Sequence, residues 1–302
     1  MDNGRSRGRG YSLGVGPAMN FAGRRMWGPA PNYPKVLAHK AEEPRTFYTI
    51  VGPCSIESPD QIRTIADALS KVVPPITYMR GGVFRAGTYP PKQDFGLQVE
   101  LLAEWKHQAD LHGLKIIVEV VDLRDLEFLE QFADALQIGA RQMQNYGLLD
   151  ATKEFDGHVT LKRNMGAKLD EWLGAAEYLL GGFARPLLIE RGGTTGLDHV
   201  RWDLSISIIP AVHALTQLPV LIDASHGTGR RDLVVPMTLA GVAAGADGFM
   251  VEVHPKPCES LSDSDQAYPL CQFQKLVQKA ESVRKALSNY EEGSVQKDPF
   301  WV

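Results

Sequence analysis

Strand-like apolar runs and helix-like patterns alternate eight times along this chain, and few folds accommodate that order. The expected strands cover residues 47–51, 77–81, 115–120, 135–138, 159–161, 186–189, 219–222 and 248–251. They are rich in Val, Ile and Leu, the pattern of a strand covered on both faces. Helical patterns run between them over 61–72, 97–112, 123–132, 145–152, 169–180, 202–215 and 233–244, and a last one spans 271–289. Pro59 before the first helix and Gly113 after the second are ordinary helix punctuation. Strict alternation of this kind means an α/β protein with a parallel sheet, open or closed. An open doubly wound sheet usually carries a Gly-rich dinucleotide fingerprint after its first strand, whereas this chain has Gly52-Pro53-Cys54-Ser55 there. Eight repeats over roughly 250 residues favour the closed (β/α)8 TIM barrel.

Residues 1–45 break the pattern. Five arginines fall among the first 25 positions, with Gly and Pro scattered throughout. This segment reads as an irregular N-terminal arm, extended or partly disordered, ahead of one catalytic barrel over 46–302. Arg5, Arg7 and Arg9 are too short a tract for RNA binding, and a net charge of −4 supplies no basic field, so no nucleic-acid partner is expected. No apolar run approaches the ~18 residues of a membrane span. No apolar stretch follows the N-terminal arginines as in a secretory signal. Three cysteines, Cys54, Cys258 and Cys271, make no disulfide framework. A cytoplasmic protein without membrane partners is the expectation.

In a barrel of this kind the residues just past each strand's C-terminal end share one face. Here they are Cys54, then Arg80 and Arg85, then Glu119 and Asp122, Arg141, Lys162 and Arg191. The seventh strand is followed by Asp223 and His226, the eighth by Glu252 and His254, and Asp263 lies a little further on. The seventh is the clearest case, because an apolar run ends at Ile222 in a Gly-rich polar turn that precedes a helix. Any one of these side chains would be an ordinary solvated loop charge. A charged or metal-competent residue after nearly every strand points to a site.

The set divides by chemistry. Arg80, Arg85, Arg141, Lys162 and Arg191 come from the middle strands, and such crowding of cations is unfavourable unless an anion sits among them. Arginine forks grip phosphate and carboxylate, and lysine adds a point charge. A small ligand with more than one anionic group is implied, and phosphoenolpyruvate would suit. Cys54, His226, Glu252 and Asp263 offer thiolate, imidazole and two carboxylates, a plausible ligand set for Mn2+, Fe2+, Zn2+ or Co2+. Their spacing alone does not make the set, since only barrel closure would bring them together. Cys258 and Cys271 read as small buried hydrophobes, and His112, His158 and His213 as helix or loop surface residues.

Several ordered motifs between Val51 and Gln266 carry a family resemblance. They are Gly52-Pro53-Cys54-Ser55, Arg80-Gly81-Gly82-Val83-Phe84 and the segment from Gln137 to Asn145, which contains Gly139-Ala140-Arg141-Gln142-Met143. Leu161-Lys162-Arg163, Glu190-Arg191-Gly192, the segment from Ser225 to Arg231 and Val251-Glu252-Val253-His254-Pro255 continue the series, with Asp263 and Gln266 in the tail loop. In these the chain resembles the class I 3-deoxy-7-phosphoheptulonate (DAHP) synthases and, more distantly, the 3-deoxy-8-phosphooctulonate (KDO-phosphate) synthases.

The resemblance implies a (β/α)8 enzyme that joins phosphoenolpyruvate to an aldehyde with release of phosphate. Arg80, Arg85, Arg141, Lys162 and Arg191 would hold phosphoenolpyruvate. Cys54, His226, Glu252 and Asp263 would hold a divalent ion acting as a Lewis acid. Lys162 would donate or relay a proton. Asp223, with Thr88 and Lys92, would meet the aldehyde. The catalytic set is thus Lys162, His226, Cys54 and Asp223. A homo-oligomer, dimer or tetramer, is implied in the same way.

Two segments depart from the family. Its Lys-Pro-Arg-Thr, whose arginine grips the phosphate of erythrose 4-phosphate, is Arg85-Ala86-Gly87-Thr88 here, and Gly87 supplies no charge. Its Arg-Gly-Ile-Arg-Thr is Arg191-Gly192-Gly193-Thr194-Thr195, one cation fewer. Three readings result: a synthase acting on erythrose 4-phosphate through other cations, a relative acting on a different aldehyde, phosphorylated or not, in specialised metabolism, or a non-catalytic regulatory barrel. The complete ligand set argues against the last.

Overall fold

The computed structural model describes residues 46–83 and 98–291. Eight parallel strands follow one another in chain order: β1 Tyr48–Gly52, β2 Tyr78–Gly81, β3 Ile116–Val120, β4 Ala135–Ile138, β5 His158–Lys162, β6 Arg185–Glu190, β7 Val220–Asp223 and β8 Gly248–His254. β8 pairs back on β1, with Gly248 beside Tyr48 and Glu252 beside Gly52, so the sheet closes into the expected barrel. A two-residue strand, β9 at Tyr268–Pro269, pairs with β8 at Val253 and His254.

Helices cover the strands: α1 Pro59–Ser70, α2 Val99–Leu111, α3 Leu126–Leu129, α4 Tyr146–Thr152, α5 Leu169–Leu179, α6 Ile208–Leu215, α7 Ala224–Thr228, α8 Arg231–Ala243 and α9 Phe273–Glu291. α1 shows why such segments are helical. Ser58 accepts a hydrogen bond from the Gln61 backbone N–H, and Pro59 occupies the first turn. Ile62, Ile65, Ala66 and Leu69 recur at helical spacing and are buried.

Side chains alternate between the two faces of each strand. Ile50, Ile117, Leu187, Ile189, Leu221 and Met250 fill the barrel interior, while Val51, Met79, Val118, Leu188 and Ile222 face the helices. Each fully buried side chain of this size contributes about 1.5–3 kcal/mol. The same alternation carries Arg80, Lys162, Asp223 and Glu252 inward, each two residues above a buried interior position. Gly52 lets β1 and β2 approach there, since a Cβ on it would stand 1.8 Å from the Arg80 carbonyl oxygen.

Some elements differ from the sequence reading. The sixth helix begins at Ile208, not at residue 202, because Asp203 pairs with Gly193 in an antiparallel bridge and the Ser205 N–H binds Glu190. The polar turn after β7 contains α7, ended by Gly229 at φ +66. The third helical run divides into a 3-10 turn, Leu123–Asp125, and the four-residue α3. His158 lies at the N-terminal mouth of the barrel, not on a loop surface, with its Nε2 3.4 Å from the Tyr48 hydroxyl and its Nδ1 2.7 Å from that of Tyr78. Cys258 and Cys271 are exposed, because each sits in a 3-10 turn past the last barrel strand. His213 is bonded to Asp247 at 2.7 Å. Among the described residues no helix is long and apolar enough to cross a membrane. The 1–45 arm and Arg85, Thr88 and Lys92 lie outside the described residues.

Candidate active site

Cys54, His226, Glu252 and Asp263 each bring one ligand atom into a group whose members all lie within 4.8 Å of one another. Cys54 follows β1, His226 stands on α7, Glu252 is in β8 and Asp263 is in the tail loop. Cys54 Sγ is 3.2 Å from Asp263 Oδ2, and His226 Nε2 is 3.5 Å from Glu252 Oε2. Gln266 Nε2 donates to Glu252 Oε2 at 2.6 Å, while Glu252 Oε1 is buried and makes no hydrogen bond. Burial pushes the Glu252 carboxyl up to about 7. Burial and the neighbouring Glu252 hold the Cys54 thiol well above its ordinary value. An orphaned buried carboxylate oxygen beside a thiol and an imidazole is a mismatch that a divalent cation relieves, so the residues fit such an ion.

Asp223 fixes the imidazole. Its Oδ2 lies 2.9 Å and its Oδ1 3.1 Å from His226 Nδ1, and Oδ1 also accepts from the His226 backbone N–H. Burial lowers the His226 pKa to about 4, so the ring is neutral at pH 7. A neutral ring that donates from Nδ1 to Asp223 presents its Nε2 lone pair to the cluster. Lys162 Nζ donates to Asp223 Oδ2 at 3.0 Å, and both side chains are buried. Burial alone would raise the Asp223 carboxyl, yet His226 and Lys162 hold it well below its ordinary value. Expected to orient aldehyde hydroxyls, Asp223 instead has both oxygens on protein partners and no exposed surface.

The cations flank this core. Arg80 is buried, and its Nε and Nη1 make no hydrogen bond. Burial alone would lower its pKa, but Cys54, Glu252, Asp223 and Glu119 carry it above the ordinary value. Arg191 donates through Nη2 to the His226 carbonyl at 3.2 Å and leaves Nη1 buried and unpartnered. Burial lowers Arg191 to about 10, against the attraction of Asp223 and with the charges of Arg201 and Arg141 adding to the effect. Arg141 is exposed in the 3-10 turn Ala140–Gln142 after β4. Buried guanidinium N–H groups without acceptors suit a small polyanion.

Loop 192–207 supplies residues that the strand-end pattern misses. Arg191 lies over the Trp202 ring, its guanidinium carbon 5.6 Å from the centroid. Arg201 Nη1 donates to Asp263 Oδ1 at 3.2 Å and to Gln266 Oε1 at 3.3 Å. Glu190 points away from the barrel interior and holds the neck of the loop, accepting from the Gly192 and Ser205 backbone N–H groups at 3.0 and 3.2 Å. Its charge is matched by Arg163, which donates through Nε and Nη2. The motifs containing Glu190 and Arg163 mark their positions but not this task.

Three strand-end residues serve elsewhere. Asp122 pairs with Arg124 on the surface, Glu119 accepts from Gln137 at 3.2 Å, and His254 Nε2 lies 3.2 Å from Glu57. Thr194, which stands where the family has a second arginine, donates its hydroxyl to the Met165 carbonyl at 3.3 Å.

Comparison with known proteins adds to this geometry. Residues 40–289 match the family described as the DAHP synthetase I family. A phospho-2-dehydro-3-deoxyheptonate aldolase of Thermotoga maritima is 37% identical over 242 residues, 80% of this chain and 71% of its own length. A 2-dehydro-3-deoxyphosphooctonate aldolase of Desulfotalea psychrophila is 27% identical, covering 79% of this chain and 90% of its own. Among solved structures, a truncated 3-deoxy-D-arabino-heptulosonate 7-phosphate synthase from Thermotoga maritima superposes with a TM-score of 0.73 at 35% identity, covering 81% of this chain and 88% of that one.

Proposed function

The chain belongs to the DAHP synthetase I family, and on that premise we propose that it condenses phosphoenolpyruvate with erythrose 4-phosphate, giving 3-deoxy-7-phosphoheptulonate and phosphate. The observation that carries this reading is the buried line Lys162–Asp223–His226, which ends at the four-ligand cluster, together with the buried guanidinium nitrogens of Arg80 and Arg191 that have no hydrogen-bond partner.

Arg80 and Arg191, with Arg85 and Arg141, bind the phosphate and carboxylate of phosphoenolpyruvate and hold its carbon 3 toward the aldehyde. Cys54, His226, Glu252 and Asp263 would hold a divalent ion, which when bound supplies Lewis-acid polarisation of the aldehyde carbonyl. Carbon 3 attacks the aldehyde carbon, water adds at carbon 2, and the resulting tetrahedral centre expels phosphate. Lys162 Nζ, held in place by Asp223 Oδ2, carries the proton exchanged with the reacting atoms. Asp223 is a positioning residue for Lys162 and His226. Thr88 and Lys92 contact the aldehyde. The active protein is a homo-oligomer of the cytoplasm.

The engaged Thr194 hydroxyl, together with Gly87, supports a second reading in which the acceptor aldehyde carries no phosphate. Each charge-assisted hydrogen bond to an aldehyde phosphate would be worth roughly 1.5–3 kcal/mol. A phosphate-release assay with Mn2+ and a panel of aldehydes decides between them. Efficient turnover of erythrose 4-phosphate supports the first reading. Turnover only with unphosphorylated aldehydes supports the second, and no turnover of any aldehyde defeats both.

A further inference from the structure

Arg201 is tied to the four-ligand group by more than one route. Its backbone N–H donates to the Thr228 carbonyl at 2.9 Å, and that of Trp202 to the Gly227 carbonyl at 2.9 Å, so the stem of loop 192–207 is stitched to α7, which carries His226. Gly229 makes room for it, since a Cβ there would stand 2.7 Å from Arg201 Cβ. The guanidinium Nη1 then reaches Asp263 Oδ1 and Gln266 Oε1, and Gln266 in turn holds Glu252 Oε2. One residue is thereby tied to the carriers of three of the four ligands.

Asp263 has particular need of such a tie. At φ +52 it is the only non-glycine residue with a positive φ among the described residues. A backbone in that region persists only where its surroundings hold it. Its two oxygens are divided between neighbours: Oδ2 faces Cys54 Sγ at 3.2 Å, inside the cluster, and Oδ1 faces Arg201 at 3.2 Å, outside it. An arginine on the outer oxygen selects one rotamer and leaves the inner oxygen as the ligand.

We propose that Arg201 is a positioning residue for the ion site, fixing Asp263 directly and Glu252 through Gln266 so that loop 192–207 and the ligand group form one unit. This role rests on reading the four residues as an ion site. Partners of this kind, bonded behind a ligand, typically change metal affinity by about 10- to 100-fold when removed.

The test uses the full chain, stripped with a chelator and titrated with Mn2+ by calorimetry, as the parent protein, Arg201→Met and Arg201→Lys. Expected are a roughly 10- to 100-fold weaker Mn2+ dissociation constant for Arg201→Met, substantial recovery in Arg201→Lys, and a KM for phosphoenolpyruvate within about threefold of the parent at saturating Mn2+. The melting midpoint of the stripped protein should barely move, which a merely structural role would not allow. Parent-like Mn2+ affinity in Arg201→Met overturns the role of Arg201 alone. Weakened binding matched by an equal loss of stability in the stripped protein also overturns it. Failure of the parent itself to bind Mn2+ defeats the ion-site reading, and this inference with it.

Discussion

Lys162 reaches over β6 from β5 to place its ammonium 3.0 Å from Oδ2 of Asp223 in β7, both side chains being buried. Breaking a buried ion pair by removing one partner commonly costs about 3–5 kcal/mol, because the survivor is left uncompensated. Asp223→Asn is therefore expected to lower unfolding free energy by about that amount in urea denaturation. It should also reduce kcat by roughly 100-fold or more, through the loss of both the proton carrier's position and the imidazole's tautomer. Near-parental kcat in a folded Asp223→Asn protein would remove Asp223 from the mechanism.

Cys54→Ala takes away the one sulfur in the ligand group. Phosphate release should fall to background at any Mn2+ concentration that saturates the parent. Mn2+ binding should weaken by roughly 100-fold or more, an order set by the loss of a whole ligand rather than of a residue behind one. Full activity of a metal-stripped Cys54→Ala protein would sink the ion-site assignment.

Trp202 lies under the Arg191 guanidinium. A contact of this type is worth about 0.5–2 kcal/mol, more when desolvated. Trp202→Leu should accordingly raise KM for phosphoenolpyruvate about 3- to 30-fold, with kcat within about twofold. A fall in kcat at unchanged KM would show that Arg191 acts elsewhere than in binding.

Glu252 and His226 give the ion-free protein opposing responses to pH. Glu252 titrates near 7 in the fold, against an ordinary 4.5, so the stability it contributes is full below about 4.5 and is lost as pH rises through 7. His226 titrates near 4 in the fold, against an ordinary 6.5, so its contribution is lost as pH falls from 6.5 toward 4. Glu252→Gln removes the first response. The stability of that variant relative to the parent should therefore rise with pH between about 4.5 and 7, by up to about 1.4 kcal/mol per unit, in chelator-treated samples followed by urea denaturation. A flat difference across that range would contradict the burial-driven shift of Glu252.

How far the sequence reveals this site depends on what each residue's neighbours are. The strands are legible because Val-, Ile- and Leu-rich runs buried on both faces have no polar alternation to confuse them. Their order then brings Cys54 and Glu252 to adjacent strand ends, in keeping with the pairing of Gly52 with Glu252. Loop 192–207 is less legible. Val200, Leu204 and Ile208 recur at helical spacing, so residues 202–207 read as the start of a helix. Their backbone instead follows contacts distant in sequence, with Glu190, Gly193 and Gly227. Asp223 stands out as a site residue but its task does not, since nothing in one strand's sequence says that a lysine two strands away will reach it. The place of His158 is hidden for a similar reason: its tyrosine partners, Tyr48 and Tyr78, come from β1 and β2.

The meeting of β8 with β1 has a consequence for assembly. Arg80, Arg141 and Lys162 arise within β2 to β5 and their loops, whereas the sulfur, imidazole and carboxylates come from the two ends of the ring. A growing chain would thus place three of the proposed anion-binding cations before Arg191 follows β6, yet it would have no coordination pocket until the final stave locked against the first. An ion captured there would fasten that seam, and its release would loosen the protein where start and finish meet.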